Sequence, residues 1–140
     1  MLNELASRRR YAYGIIVRGT SNYWTASLKS EAAMRDLVPD GMPSEVRELD
    51  VVVLHSYILG KILGISAEAQ EKKLNIHYIQ TVAECEREVM DGTAQIAFIV
   101  NPTRIEQVRA VAKAGHTMPQ KSTFFYPKLL SGLVFNKMAE

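Results

Sequence analysis

The sequence predicts an α+β domain in which a mixed β-sheet of about five strands packs against three to four helices. Two stretches near the start of the chain carry apolar residues at every second position and flank a Gly/Asn turn, which is typical of an antiparallel hairpin. Helix-like and strand-like stretches then alternate, which adds three later strands to the predicted sheet. The chain has 140 residues, of which 47% are hydrophobic, and this length fits a single domain over residues 1–140.

The N-terminal part is predicted to form a short helix followed by the hairpin. Residues 2–10 are helix-like and end in three arginines, whose charge suits the negative end of a helix. The two strands of the hairpin cover residues 11–18 and 23–29, and the turn between them covers residues 19–22. Because the side chains of a strand alternate between its two faces, this pattern gives each strand one apolar face.

The middle of the chain is predicted to contain the central helix of the core. A short helix over residues 31–37 is followed by a proline and glycine cluster at residues 39–43. Asp50 is then the expected N-cap of a helix over residues 51–63, which ends at a glycine and carries one continuous apolar stripe. His55 lies on this helix, but position i+4 is a leucine instead of a second metal ligand, so we interpret it as a packed or partly exposed histidine.

The second half of the chain alternates helices and strands. The predicted helices cover residues 67–73, 81–91 and 103–115, and the predicted strands cover residues 76–80, 94–100 and 129–135. Two Thr-x-x-Glu patterns, which begin at Thr81 and Thr103, predict capping boxes at the start of two of these helices. The middle strand of the three is almost wholly apolar, which predicts that it is covered on both faces.

Composition excludes several classes of protein. The single cysteine, Cys85, rules out an intramolecular disulfide and a cysteine zinc cluster, and it favours a reducing, cytoplasmic location. The N-terminus lacks the pattern of a signal peptide, and the longest apolar stretch, residues 49–65, contains polar residues, so no membrane partner is predicted. No spacing of histidines or acidic residues predicts a metal site or a catalytic residue, and no pattern identifies a cofactor.

The net charge of +2 is unevenly distributed. Residues 1–30 contain five basic residues and one acidic residue, and residues 107–140 contain the same numbers. Residues 31–106 contain seven basic and thirteen acidic residues. If the two ends of the chain share a sheet, one side of the molecule is basic and favours an anionic ligand or partner. The alternative is that the asymmetry only tunes solubility.

The candidate binding site is residues 118–128, Met-Pro-Gln-Lys-Ser-Thr-Phe-Phe-Tyr-Pro-Lys, named here the proline-flanked segment. Its lysines and hydroxyls can bind phosphate or carboxylate, and residues 107–139 contain no acid. It is not a P-loop, because glutamine replaces the second glycine and a helix precedes it. The candidate ligand-binding residues are Gln120, Lys121, Ser122, Thr123, Tyr126 and Lys128. Alternatively, the segment is a structural plug whose aromatic residues fill the core.

The proline-flanked segment and its continuation to Phe135, with Ala-Phe-Ile-Val-Asn-Pro at residues 97–102, resemble the C-terminus of a bacterial and archaeal family catalogued as the domain of unknown function numbered 1015. The likeness extends back through residues 49–64 to residues 10–14. Members of that family are longer, and their preceding portion looks like a ParB-like nucleotide domain with an Ala-Asp-Gly-His-His-Arg type motif, which this sequence lacks. The resemblance implies that the chain is the C-terminal domain or a fragment of a longer protein.

Two functions are consistent with these observations. In the first, the chain is an accessory domain whose proline-flanked segment completes a phosphate or nucleotide site with the ParB-like portion, which is the expected partner. Related ParB-like proteins include nucleotide hydrolases and a small-molecule kinase, so phosphoryl chemistry is the analogy, although this chain alone is not expected to be catalytic. The alternative is a non-catalytic module that binds a protein or a nucleic acid through Trp24 and the arginines at residues 8–10.

Overall fold

A three-stranded antiparallel sheet forms the β-part of the fold in a computed structural model, which describes residues 2–7, 10–29, 41–119 and 121–123. The strands, in the spatial order β2-β1-β3, are β1 (Ala12–Val17), β2 (Tyr23–Ser27) and β3 (Ile96–Val100). The helices are α1 (Leu2–Ser7), α2 (Ser44–Arg47), α3 (Asp50–Val53), a π-helix (Leu54–Ile62), α4 (Ala67–Glu71), α5 (Val82–Met90) and α6 (Ile105–Lys113). The α+β class that the sequence predicts is confirmed.

The predicted N-terminal hairpin is also confirmed. β1 and β2 are antiparallel, with Tyr13 opposite Ala26 and Ile15 opposite Trp24. β3 pairs with the other edge of β1 and is antiparallel to it, with Tyr13 opposite Val100. Because the pairing is antiparallel, β1 begins and β3 ends at the same end of the sheet. The candidate functional site lies at that end.

The predicted five-stranded mixed sheet is not confirmed, since the described part of the chain contains three strands with antiparallel pairings. The strand predicted over residues 76–80 is wrong, because this segment is irregular and pairs with no strand among the described residues. Ile76 packs against the core, and Tyr78 stacks on a histidine ring. The helix predicted over residues 31–37 and the strand predicted over residues 129–135 lie outside the described residues.

The predicted central helix is confirmed in extent but differs at its start and in its geometry. Leu49 is the N-cap residue, and Asp50 is the first residue of α3. The Asp50 carboxylate does not cap the helix, because it accepts a hydrogen bond from the backbone N–H of Tyr11. α3 continues directly into the nine-residue π-helix, a geometry that usually spans a single turn. Gly64, with a φ angle of 71°, follows the helix as the predicted stop.

The two predicted capping boxes have different outcomes. Thr81 accepts a hydrogen bond from the backbone N–H of Glu84 at 3.3 Å, which confirms it as the N-cap of α5 but not the reciprocal bond of a capping box. The prediction for Thr103 is wrong: the N-cap of α6 is Arg104, whose backbone N–H donates to the Gln107 side chain at 3.0 Å. The Thr103 hydroxyl donates to a carbonyl of the proline-flanked segment instead, so a distant partner replaces the local one.

The core lies around the central helix and the start of β1. Its buried cluster consists of Tyr11, Tyr13, Val46, Leu49, Val52, Val53, Leu54, Leu59 and Val111. Four of these residues come from α3 and the π-helix, which confirms the central position of that helix. Met118, the first residue of the proline-flanked segment, packs against the same cluster and so places the segment beside α6.

Candidate functional site

The end of the sheet where β1 begins and β3 ends brings together polar groups from four segments, which are α1, the residue before β1, the connection from β3 to α6, and a segment further along the chain. Asn101 follows β3 and donates from Nδ2 to the backbone carbonyl of Leu5 at 3.0 Å, which holds α1 against this end. Tyr11 precedes β1, and Thr103 and Arg104 lead from β3 into α6. The fourth segment is the proline-flanked one.

Three hydrogen bonds hold the described part of the proline-flanked segment. The Ser122 hydroxyl donates to the Pro119 carbonyl at 2.6 Å, and the Ser122 backbone N–H donates to the same oxygen at 3.3 Å. The Thr103 hydroxyl donates to the Ser122 carbonyl at 2.6 Å. The segment is therefore closed on itself and attached to the residue before the N-cap of α6.

Three of the six predicted ligand-binding residues are placed by the structure. Lys121 is exposed at a turn and has a φ angle of 60°. Ser122 is only 8% exposed and gives its hydroxyl proton to Pro119, an arrangement that suits a structural role. Thr123 is half-buried. The other three predicted residues, Gln120, Tyr126 and Lys128, lie outside the described residues.

Sequence reasoning missed a polar network around Tyr11. Arg10 Nη2 donates to Glu48 Oε2 at 2.7 Å and to the Tyr11 hydroxyl at 2.9 Å, and its guanidinium lies 5.0 Å from the centre of the Tyr11 ring. The Tyr11 hydroxyl donates to the Glu48 carbonyl at 3.2 Å. Because Arg10 and Glu48 are 38 residues apart, no local pattern could have indicated this ion pair.

Tyr11 also has a strained backbone. Its φ angle of 51° lies in the left-handed region, which costs a residue with a Cβ about 1–2 kcal/mol. Its N–H donates to the Asp50 carboxylate, and its carbonyl accepts a hydrogen bond from the Leu28 N–H at 3.0 Å. Strain that is held in place by its surroundings in this way clusters at functional sites.

Asp50 is the buried acid at this end of the sheet. Its Oδ1 is inaccessible to solvent and has no hydrogen-bond partner among the residues that the structure describes. Burial raises the pKa of Asp50, while the Tyr11 N–H and the positive charges of Arg10 and Arg104 oppose that rise more weakly. A carboxyl with a raised pKa near two arginines marks a candidate functional site on electrostatic grounds.

A cleft of about 170 Å³ lies between α2 and α6, next to this network. It is lined by Arg10, Ser44, Glu45, Glu48, Gln107 and Ala110. The lining contains one cation and two carboxylates, and the cation is already paired with Glu48. The cleft is therefore poorly suited to an anion. Lys121, in contrast, is exposed and has no ion-pair partner in the described part of the chain.

Comparison with known proteins returns no matching family model, no similar curated protein and no similar solved structure. The resemblance to the ParB-like family stays a prediction.

Several other features carry no site in the part of the chain that the structure describes. No three His, Cys, Asp or Glu residues there are placed to hold a metal ion. No helix among the same residues is long and apolar enough to cross a membrane. Cys85 is half-buried, and burial together with the carboxylates of Glu88 and Glu84 raises the pKa of its thiol, which makes it a poor nucleophile.

We expect Asp50→Asn to increase the free energy of unfolding at neutral pH. Asparagine keeps an oxygen that can accept from Tyr11, but it removes a charge whose burial is unfavourable. The pKa of Asp50 in the folded state lies above the unfolded value of about 3.9, so the native state binds this proton more tightly. The stability of the wild type therefore falls as the pH rises through the window between the unfolded and the folded pKa. Urea unfolding at a series of pH values should show the advantage of the variant growing through this window and then staying constant.

Asp91→Asn is the matched control with the opposite sign. Asp91 is exposed, and hydrogen bonds from Thr93 lower its pKa, so its ionised form stabilises the fold above the unfolded pKa. We expect this variant to be less stable than the wild type at neutral pH. An Asp50→Asn variant that also loses stability there would show that the two arginines outweigh burial.

Proposed function

We propose that this chain is an accessory domain that binds a phosphate-bearing anion at the start of α6, through Lys121 and Arg104. The observation that carries the proposal is the hydrogen bond from the Thr103 hydroxyl to the Ser122 carbonyl at 2.6 Å. This bond attaches the lysine-bearing segment to the residue that precedes the helix N-cap. Two cations from segments far apart in sequence are thereby held at the same end of one helix.

The chemistry of this end favours an anion. The N-terminus of a helix carries a partial positive charge and unsatisfied N–H groups, which bind phosphate and carboxylate. Arg104 and Lys121 add two full charges, and both side chains are exposed. Two carboxylates oppose this charge: Glu106, in the first turn of α6, and the buried Asp50, which interacts electrostatically with Arg104. We therefore expect a modest affinity that decreases with salt, because exposed charges are screened.

The rest of the proline-flanked segment extends the same proposal. Gln120, Tyr126 and Lys128 lie in the same segment as Lys121 and would complete the site together with the ParB-like portion that the family resemblance implies. In that arrangement this chain supplies charge and position, and any phosphoryl transfer takes place on the other portion. The ligand class is then phosphate, pyrophosphate or the phosphates of a nucleotide.

A thermal-shift titration with phosphate, pyrophosphate and ATP tests the proposal. Ligand at about a hundred times its dissociation constant should stabilise the wild type by roughly 2.7 kcal/mol. We expect Lys121→Ala and Arg104→Ala to reduce the shift, and Glu106→Gln to increase it. Lys113→Ala, which removes a lysine at the other end of the same helix, is the matched control and should leave the shift unchanged. Equal shifts in all variants would refute the site.

A second function is favoured by the exposed aromatic residues of β2. Tyr23 and Trp24 are 44% and 40% exposed, and β2 is an edge strand of the described sheet. Such a surface, together with the arginines at residues 8–10, is also suited to a protein or nucleic-acid partner. A mobility shift on RNA or DNA that disappears with salt and with Trp24→Ala would support this alternative. Unchanged mobility at low salt would exclude its nucleic-acid form.

A further inference from the structure

His55 is held by a hydrogen-bonded clamp that the sequence does not reveal. It lies in the π-helix, and the side chain of Gln70, on α4, reaches across to it. Gln70 Nε2 donates to the backbone carbonyl of His55 at 3.1 Å and to that of Ile65 at 2.8 Å. Gln70 Oε1 lies 2.8 Å from His55 Nδ1.

These contacts determine the orientation of the Gln70 amide. A carbonyl oxygen can only accept a hydrogen bond, so the group that faces the two backbone carbonyls has to be the NH₂ donor. The amide oxygen then faces the imidazole, and because it is an acceptor, His55 Nδ1 has to carry the hydrogen. In the neutral ring, Nε2 is consequently left with a lone pair.

The surroundings of the ring reinforce this arrangement. Tyr78 stacks on the imidazole, with ring centroids 5.9 Å apart and planes 10° apart. Gly60 leaves room for the clamp, since a Cβ at that position would lie 3.2 Å from the His55 carbonyl oxygen and 3.9 Å from Gln70 Nε2. Burial lowers the pKa of His55, and the hydrogen bond to Gln70 opposes this more weakly, so the ring is neutral near pH 7.

We propose that His55 is a proton-accepting centre, fixed by Gln70 as the Nδ1–H tautomer so that its Nε2 lone pair accepts a hydrogen bond or a proton from a ligand hydroxyl or N–H group. Histidines that act as bases or ligands share this design, in which a second group holds the opposite ring nitrogen. π-Helical turns are rare and are frequently found at functional sites. This centre is separate from the proposed anion site, because His55 and Gln70 lie on the π-helix and α4 and not at the start of α6.

Long-range ¹H–¹⁵N correlation spectra of the intact chain, labelled with ¹⁵N-histidine, test the tautomer directly. At about pH 8, above the ordinary histidine pKa near 6.5, His55 should be protonated at Nδ1 and unprotonated at Nε2. His116, which is exposed, serves as the internal reference and should show the Nε2–H form that predominates in free histidine. Observation of Nε2–H at His55 would overturn the proposal.

Gln70→Met tests the clamp, because methionine has a similar length but cannot hold Nδ1–H. We expect His55 to revert mainly to the Nε2–H tautomer in this variant and to keep its wild-type tautomer in the control Gln80→Met, at an exposed glutamine. An unchanged His55 spectrum in folded Gln70→Met would contradict the role of Gln70.

Diethylpyrocarbonate, which acylates unprotonated imidazole nitrogens, tests access to the lone pair in the wild type and does not depend on any variant folding. Peptide mapping by mass spectrometry should find His55 modified at about pH 7, where the ordinary histidine pKa near 6.5 already leaves most exposed imidazoles neutral. Modification of His116 with complete protection of His55 would show that Nε2 is closed to a ligand and would overturn the proposal.

Discussion

Replacing Leu49 with alanine is expected to lower the free energy of unfolding by about 2–5 kcal/mol. Leu49 is 1% exposed and belongs to the buried cluster around the central helix. Its carbonyl accepts hydrogen bonds from the N–H groups of Val52 and Val53 at 2.9 and 3.2 Å, which alanine would keep. The loss therefore measures the removed side chain and the cavity it leaves. Because domains of this kind have about 5–15 kcal/mol of stability in total, the variant should unfold at much lower urea concentration.

Leu74→Ala provides the matched control for this substitution. Leu74 is 53% exposed, so truncation of the same side chain there should change the stability by no more than about 0.5 kcal/mol. If the two variants lost similar amounts, the buried cluster around the central helix would not be the core of the domain.

Truncation of Tyr11 is expected to lower the stability by a comparable amount. At this position we expect the glycine variant to be more stable than the alanine variant, which is the reverse of the usual order. Removal of this buried ring should cost about 3–5 kcal/mol, by analogy with other large aromatic side chains. In an ordinary strand, glycine is less stable than alanine by roughly 0.5–1 kcal/mol. At Tyr11 the φ angle of 51° penalises any residue with a Cβ, so Tyr11→Gly should be more stable than Tyr11→Ala.

Urea unfolding of the two Tyr11 variants tests this order. The comparison is made with Ala26 of β2, where the wild type has alanine and the variant has glycine. Ala26 lies in a regular paired strand, so Ala26→Gly should reduce stability. A Tyr11→Gly variant that is less stable than Tyr11→Ala would show that the left-handed conformation is not retained after the ring is removed.

The parts of the fold that the sequence predicts are those that depend on neighbouring residues. Alternation over residues 11–29 predicts the hairpin, and Thr81 lies three residues before the N–H that it caps. Gly64 likewise stops the central helix through its own backbone freedom. In each case the residue and its partner fall within one short stretch of the chain, so the pattern is visible in the sequence.

The predictions that failed concern residues whose interaction partners are distant in the sequence. The Thr103 hydroxyl bonds to a carbonyl 19 residues away, and the Asp50 carboxylate is taken by the N–H of Tyr11, so neither acts as the predicted cap. The segment over residues 76–80 has the composition of a strand but packs by its side chains. The apolar stripe of the central helix is compatible with an α-helix and with a π-helix, so it did not indicate which of the two forms.

In the candidate sites, too, single residues can be recognised in the sequence, whereas their contacts with distant residues cannot. Lys121 could be selected from the composition of its segment, which contains no acidic residue. Its association with Arg104 depends on the attachment of the segment to Thr103, which only the fold shows. The clamp on His55 depends on Gln70, 15 residues further along the chain, and a search for a second ligand at i+4 could not find it.

Calorimetric titration of pyrophosphate into the intact chain at low ionic strength is the most direct test of the proposed anion site. Wild type, Thr103→Val and the control Thr117→Val should be compared, since valine keeps the shape of threonine without its hydroxyl and Thr117 is exposed. We predict that Thr103→Val weakens binding at least about tenfold, equivalent to roughly 1.4 kcal/mol, and that Thr117→Val does not. No binding by the wild type, or equal affinity in Thr103→Val, would contradict the proposal that this hydrogen bond assembles an anion site at the start of α6.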